Sequence, residues 1–129
     1  MKTLDELIML AEEKGLKVVE TPLQSVSGIL ADRTIFLDPS LSNREMRCVL
    51  AEEIGHYMTG GGDTVRSKNP SNIRWTEGRA MKVAMELLLD WHKAVQLFCQ
   101  GLSVADVAEH FDVPVHFMEA AVKRWGFYG

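Results

Sequence analysis

Apolar residues Leu4, Leu7, Ile8 and Ala11 fall at i, i+3, i+4 and i+7, and Gly15 follows where a helix would stop. This spacing predicts an amphipathic helix over residues 3–14. Strand chemistry comes next. Lys17 to Glu20 and then GILADRTIFLD, with Ile29, Leu30, Ile35, Phe36 and Leu37 around the turn-forming Asp32-Arg33, predict a short strand followed by a hairpin that ends at Asp38-Pro39. Helical spacing returns at Met46, Val49, Leu50, Ile54 and Tyr57, with Ser42 or Asn43 as the cap and Gly60 as the stop. Beyond the loop GGGDTVRSKNPSN, residues 74–92 carry apolar side chains on most sides, among them Ala80, Met81, Val83, Ala84, Met85, Leu87, Leu88 and Leu89. That breadth predicts one long helix in the middle of the fold. Two more helices, 103–111 and 115–125, flank Asp112-Val113-Pro114. No repeat, low-complexity stretch or linker interrupts the chain, so one domain over 1–129 is expected. Trp75, Trp91 and Trp125 fall at helical positions and are expected in its core.

At 129 residues and 47% hydrophobic composition, the chain can bury one core without metals or disulfides as staples. The formal net charge of -4 argues against a surface built to coat phosphates, and DNA binding is not expected. Two cysteines, Cys48 and Cys99, with no CxxC, fit a reducing compartment. The N-terminal apolar stretch is interrupted by acids, unlike a signal peptide, and no run approaches the ~18 apolar residues of a membrane span. A soluble, cytoplasmic protein is expected.

The chemistry concentrates in AEEIGHYMTG, residues 51–60. Read from Glu52 it is Glu-Glu-x-x-His, one residue away from the His-Glu-x-x-His of zinc peptidases, in which two histidines on one helical face bind the metal and the glutamate is the general base. Glu52 and His56, four apart, share a face and can converge on one ion. Glu53 stands about 100° round the helix, beside that face, where such a base must be. A third ligand must come from elsewhere. Glu77 is the best candidate, an acid in the first turn of a nearly all-apolar helix, with Asp63 in the glycine loop as its competitor. Cys48 shares the stripe but lies ~12 Å of helix rise from His56. His92, His110 and His116 are less suited as ligands. Glu53-x-x-His56 is also the pair used by di-iron carboxylate bundles, but no second such pair is present. Residue chemistry alone leaves a metal site and a solvated acidic face both open.

Two other features have double readings. SVADVAEHFDVPVHFMEAAVKRW reads as helix, turn, helix, either a packed hairpin or a DNA-binding unit whose second helix carries Lys123 and Arg124 only at its far end. The strand ending Ile35-Phe36-Leu37 is either plain core or an edge that holds an extended substrate by strand addition.

Taken in order, TIFLDPSLSNREMRCVLAEEIGHYMTGGGD, RWTEGRAMKVAMELLL and GLSVADVAEHFDVPVHFMEAAVKRWG resemble the strand and active-site helix, the helix bearing the downstream glutamate, and the C-terminal helical pair of the ImmA/IrrE-type zinc metallopeptidases, in the short version carried by prophages and integrative elements. The resemblance implies a predominantly helical α+β domain with a small N-terminal β-hairpin or sheet. A zincin-like core would occupy 1–93, with its active-site helix, and a C-terminal helical pair 94–129. It implies that His56 and Glu77 bind zinc, that Glu53 activates water, and that the substrate is a helix-turn-helix repressor protein of the mobile element. A catalytically inactive relative that binds the repressor as an antagonist would share every one of these features.

Glu52 departs from the family pattern, which has a histidine there. Zinc accepts carboxylate oxygen, so Glu52, His56 and Glu77 remain a workable ligand set. The charge changes: Zn²⁺ with two imidazoles and one carboxylate carries +1, whereas one imidazole and two carboxylates leave zero. A less electropositive ion acidifies water less, and the oxygen-rich set moves preference toward Mn²⁺.

Overall fold

The computed structural model describes residues 1–60 and 70–126, with side chains over 1–60 and 78–126. The fold is α+β and mostly helical. Helix α1 (Leu4–Glu13) begins at Thr3, whose hydroxyl accepts from the Glu6 N–H while the Glu6 carboxylate accepts from the Thr3 N–H at 3.0 Å. This reciprocal pair satisfies two helix-end donors. Gly15, at φ +84, turns the chain into β1 (Lys17–Glu20).

Strands β2 (Gly28–Ala31) and β3 (Thr34–Leu37) form the expected hairpin. Asp32 and Arg33 both take positive φ, 50° and 57°, as a two-residue turn matched to strand twist requires. Strand β1 adds to the other side of β3 in parallel, giving the order β1-β3-β2. Because β3 is bonded on both sides, it has no edge to offer a substrate strand, and of its two readings plain core holds: Ile35 and Leu37 are 0% and 1% exposed. Leu30, Ile35 and Leu37 turn one face of the sheet onto the helices.

Helix α2 (Asn43–Met58) starts at Ser42, which closes a capping box with Glu45. It packs against α1, β2, β3 and α3 (Pro70–Leu88). Leu50 and Ile54, fully buried, are worth about 1.5–3 kcal/mol each in burial.

The single helix expected over 74–92 is two. Helix α3 begins earlier, at Pro70, and ends at Leu88; α4 (Trp91–Cys99) restarts at Asp90, whose carboxylate accepts from the Lys93 N–H at 3.2 Å. An aspartate in extended backbone ends one helix and caps the next, and the apolar run across the join hides the break. Trp91 is also displaced from expectation: it is 39% exposed and meets Trp125 edge-on at 4.9 Å rather than lying in the core. Trp75 falls outside the described side chains.

Helices α5 (Val104–Phe111) and α6 (Val115–Trp125) form the C-terminal pair. Asp112, at φ 55, makes the turn, and Ala108 and Val113 are both buried beneath it. Arg47 of α2 reaches this turn. Its guanidinium, 6% exposed, donates to the carbonyl oxygens of Phe111 at 2.9 Å and Asp112 at 2.7 Å, and to that of Lys2 at 2.7 Å. Arg44, one turn earlier, pairs with Glu109 and Asp112 on the surface. The last carbonyls of α5 are thereby satisfied by a cation from α2. Among the described residues, the buried apolar cluster joins the six helices and the sheet. Among the described residues, no helix is long and apolar enough to cross a membrane.

Candidate active site

Helix α2 is buried along most of its second half. Ala51, Glu53, Ile54, Gly55 and His56 are buried, Glu52 and Tyr57 are partly open, and Met58 at the end is exposed. The cause is the approach of α3. Gly55 lies against Ala80 so closely that a Cβ there would overlap the Ala80 carbonyl oxygen and come within 3.0 Å of its carbonyl carbon and Cα. Only glycine permits two helix backbones to touch in this way.

This packing takes two polar residues of the acidic helix out of solvent. Glu53 is 8% exposed and His56 7%. A solvated acidic face would leave such groups in water, because burying a carboxylate and an imidazole is costly without compensating partners. Glu52 is half-buried, one turn before His56. The helix therefore presents a carboxylate oxygen and an imidazole nitrogen in successive turns, with a second, buried carboxylate beside them. Both donor types suit zinc.

Glu77 belongs to α3, three residues before Ala80, and its side chain lies outside the described residues. Asp63 and the other residues of the glycine loop from 61 to 69 also lie outside them. Among the described residues, no three His, Cys, Asp or Glu side chains form a group able to hold a metal ion. The described part of the candidate site is thus Glu52, Glu53 and His56.

The thiol of Cys48 donates to Glu52 Oε1 at 3.7 Å. Burial pushes this thiol's pKa up strongly, and the neighbouring Glu52 carboxylate pushes it in the same direction, so it remains a protonated donor. Cys48 and Glu52 line a cavity of about 100 Å³, together with Glu45, Ser27, Pro114 and His116. The structure therefore brings His116 close to the candidate site. No signal in the sequence indicates this, because the contact depends on where α6 docks. His92 is exposed on α4, and His110 stacks edge-on against Phe111. A larger cavity of about 570 Å³ lies between α3, α4 and α6, lined by Trp91, Trp125, Lys82 and Glu86 among others, and no residue of α2 reaches it. Its size does not make it the reaction site, since none of the described candidate groups, Glu52, Glu53 and His56, lines it.

No curated protein matches the chain. The family model of the IrrE N-terminal-like domain, a peptidase family, matches residues 11–123, from the end of α1 through the sheet and α2 into the last turns of α6. A match over so much of the chain, containing the helix on which Glu53 and His56 are buried, is more specific than the five-residue motif. The chain belongs to the IrrE N-terminal-like peptidase family.

Proposed function

We propose that this protein is a zinc-dependent endopeptidase that cleaves a helix-turn-helix repressor of a prophage or integrative element. Glu52, His56 and Glu77 are the metal ligands in this reading, and Glu53 is the catalytic base. Family membership supports the peptidase-type role. The observation that carries the site assignment is the burial of Glu53 and His56, 8% and 7% exposed, beside Glu52 on α2.

When bound, zinc lowers the pKa of water and polarises a substrate carbonyl. Glu53 accepts the proton of the attacking water and passes it to the nitrogen of the leaving amine. Its place about 100° round the helix from Glu52 leaves its carboxylate free of ligand duty while keeping it beside the residues that would hold the ion. Glu52 in place of a histidine neutralises the site, which places more of the proton abstraction on Glu53 and gives Mn²⁺ a share of the preference. Two free cysteines, Cys48 buried and Cys99 exposed, fit a reducing cytoplasm. The chain's charge of -4, with Lys123 and Arg124 confined to the last turn of α6, favours a protein partner over DNA.

The test is incubation of the zinc-loaded protein with the repressor encoded beside it, in wild type and Glu53→Gln. Wild type should cut the repressor, and Glu53→Gln should keep its metal while losing about 10²–10⁴-fold in rate. Equal cleavage by Glu53→Gln would remove Glu53 from the role of base. A stable, uncut complex with wild type would replace the peptidase with an antagonist.

A further inference from the structure

A carboxylate ligand differs from an imidazole in needing its second oxygen held. A glutamate has three rotatable bonds and two equivalent oxygens, so the neighbour that fixes a glutamate ligand has to be a donor to its second oxygen. Hydrogen-bond partners of this kind commonly orient ligating carboxylates.

Cys48 stands one turn before Glu52 on α2, is 3% exposed, and aims its thiol at Glu52 Oε1 across 3.7 Å. Side chains on a helix lean toward its N-terminus, which turns Glu52 back over Cys48 and His56 back toward Glu52. Cys48 itself is too far along the helix to join His56 on one ion. Its position behind Glu52, on the side away from His56, is that of a support rather than a ligand. Cys48 and Glu52 line the same cavity of about 100 Å³, together with Ser27 and His116.

We propose that Cys48 is a positioning residue for Glu52, its thiol holding one carboxylate oxygen so that the other is presented toward His56 and the metal. This rests on the reading of Glu52 as a ligand. The thiol is a support specific to a glutamate at this position, because it donates, and a metal-bound imidazole at 52 would turn a second donor toward it where the carboxylate turns an acceptor.

The experiment is a double-mutant cycle read by zinc affinity, with Co²⁺ absorption as a second measure of ligand geometry. Cys48→Ala should weaken zinc about tenfold, the low end of the range for such orienting partners. Cys48→Ser, which keeps a donor, should stay within about threefold of wild type. In the Glu52→His background, Cys48→Ala should change zinc affinity little. Equal losses in both backgrounds would make Cys48 a packing residue and overturn the proposal, as would unchanged affinity in Cys48→Ala. Thermal unfolding of each metal-free variant separates a loss of fold from a loss of orientation. A Glu52→Ala variant that binds zinc as tightly as wild type, while His56→Ala does not, would instead overturn the ligand role of Glu52 on which the proposal rests.

Discussion

Gly55 on α2 faces the carbonyl of Ala80 on α3 with no room between them for a Cβ. The contact fixes how closely the helix carrying Glu52, Glu53 and His56 approaches the helix carrying Glu77. Gly55→Ala sets two effects against each other. Alanine raises helix propensity by about 1 kcal/mol, while overpacking against backbone costs about 1–3 kcal/mol. Because the clash is with backbone that cannot swing aside, the steric term wins. A net loss of up to about 2 kcal/mol is expected by urea unfolding, together with weaker zinc binding as α3 is pushed away. A more stable Gly55→Ala protein with unchanged metal affinity would show that the crossing does not set the site.

Arg47 ties α2 to the turn between α5 and α6. In Arg47→Ala the carbonyls of Phe111 and Asp112 lose a charged donor, and bonds of this type are worth about 1.5–3 kcal/mol. A loss of about 3 kcal/mol is expected, roughly 10 °C in Tm for a chain of this size. Arg47→Lys should recover only part of it, because an ammonium lacks the planar fork that reaches several carbonyls. Calorimetry of the two variants decides the point.

Acid should weaken the loop between β3 and α2. The Ser40 N–H and hydroxyl, and the Leu23 N–H, donate to Asp38 and hold its carboxyl below its ordinary pKa. A carboxylate with a depressed folded pKa contributes stability that is fully present above its unfolded value and is lost as pH falls through the folded one. Asp38→Asn should therefore flatten the decline in stability below about pH 4 while lowering stability at pH 7. Parallel pH profiles for wild type and Asp38→Asn would contradict this.

Glu52→His tests the neutral charge of the proposed metal set. Replacing one carboxylate by an imidazole restores a charge of +1 to the zinc site, so zinc should bind more tightly and cleavage should reach half its maximum at lower pH. A pH–rate profile that does not move would show that Glu52 is not near the ion.

Local signals were the legible part of this sequence. Asp32-Arg33 reads as a hairpin turn, Ser42 as a cap and Gly60 as a stop because each depends only on its neighbours in the chain. The parallel docking of β1 on β3 was not legible, since no turn connects them. Arg47 was missed because a charged residue inside a helical pattern reads as solvent-facing, and only the position of the α5 end shows why it is buried. Asp90 carried a usable signal, an N-cap residue ahead of Trp91, that the surrounding apolar residues masked. At the site, the i, i+4 spacing of Glu52 and His56 was plain from sequence. That Glu53 and His56 are buried could not be read there, because the covering helix meets α2 through Gly55, a residue that leaves no hydrophobic mark.

The most direct test of the proposed site is the metal content of the purified protein and of His56→Ala, measured after equilibration with zinc and removal of excess. One equivalent of zinc in wild type and less than about a tenth of that in His56→Ala is the predicted result, since losing the sole imidazole leaves two carboxylates to hold the ion. One tightly held equivalent in His56→Ala would contradict the assignment of the site to this helix.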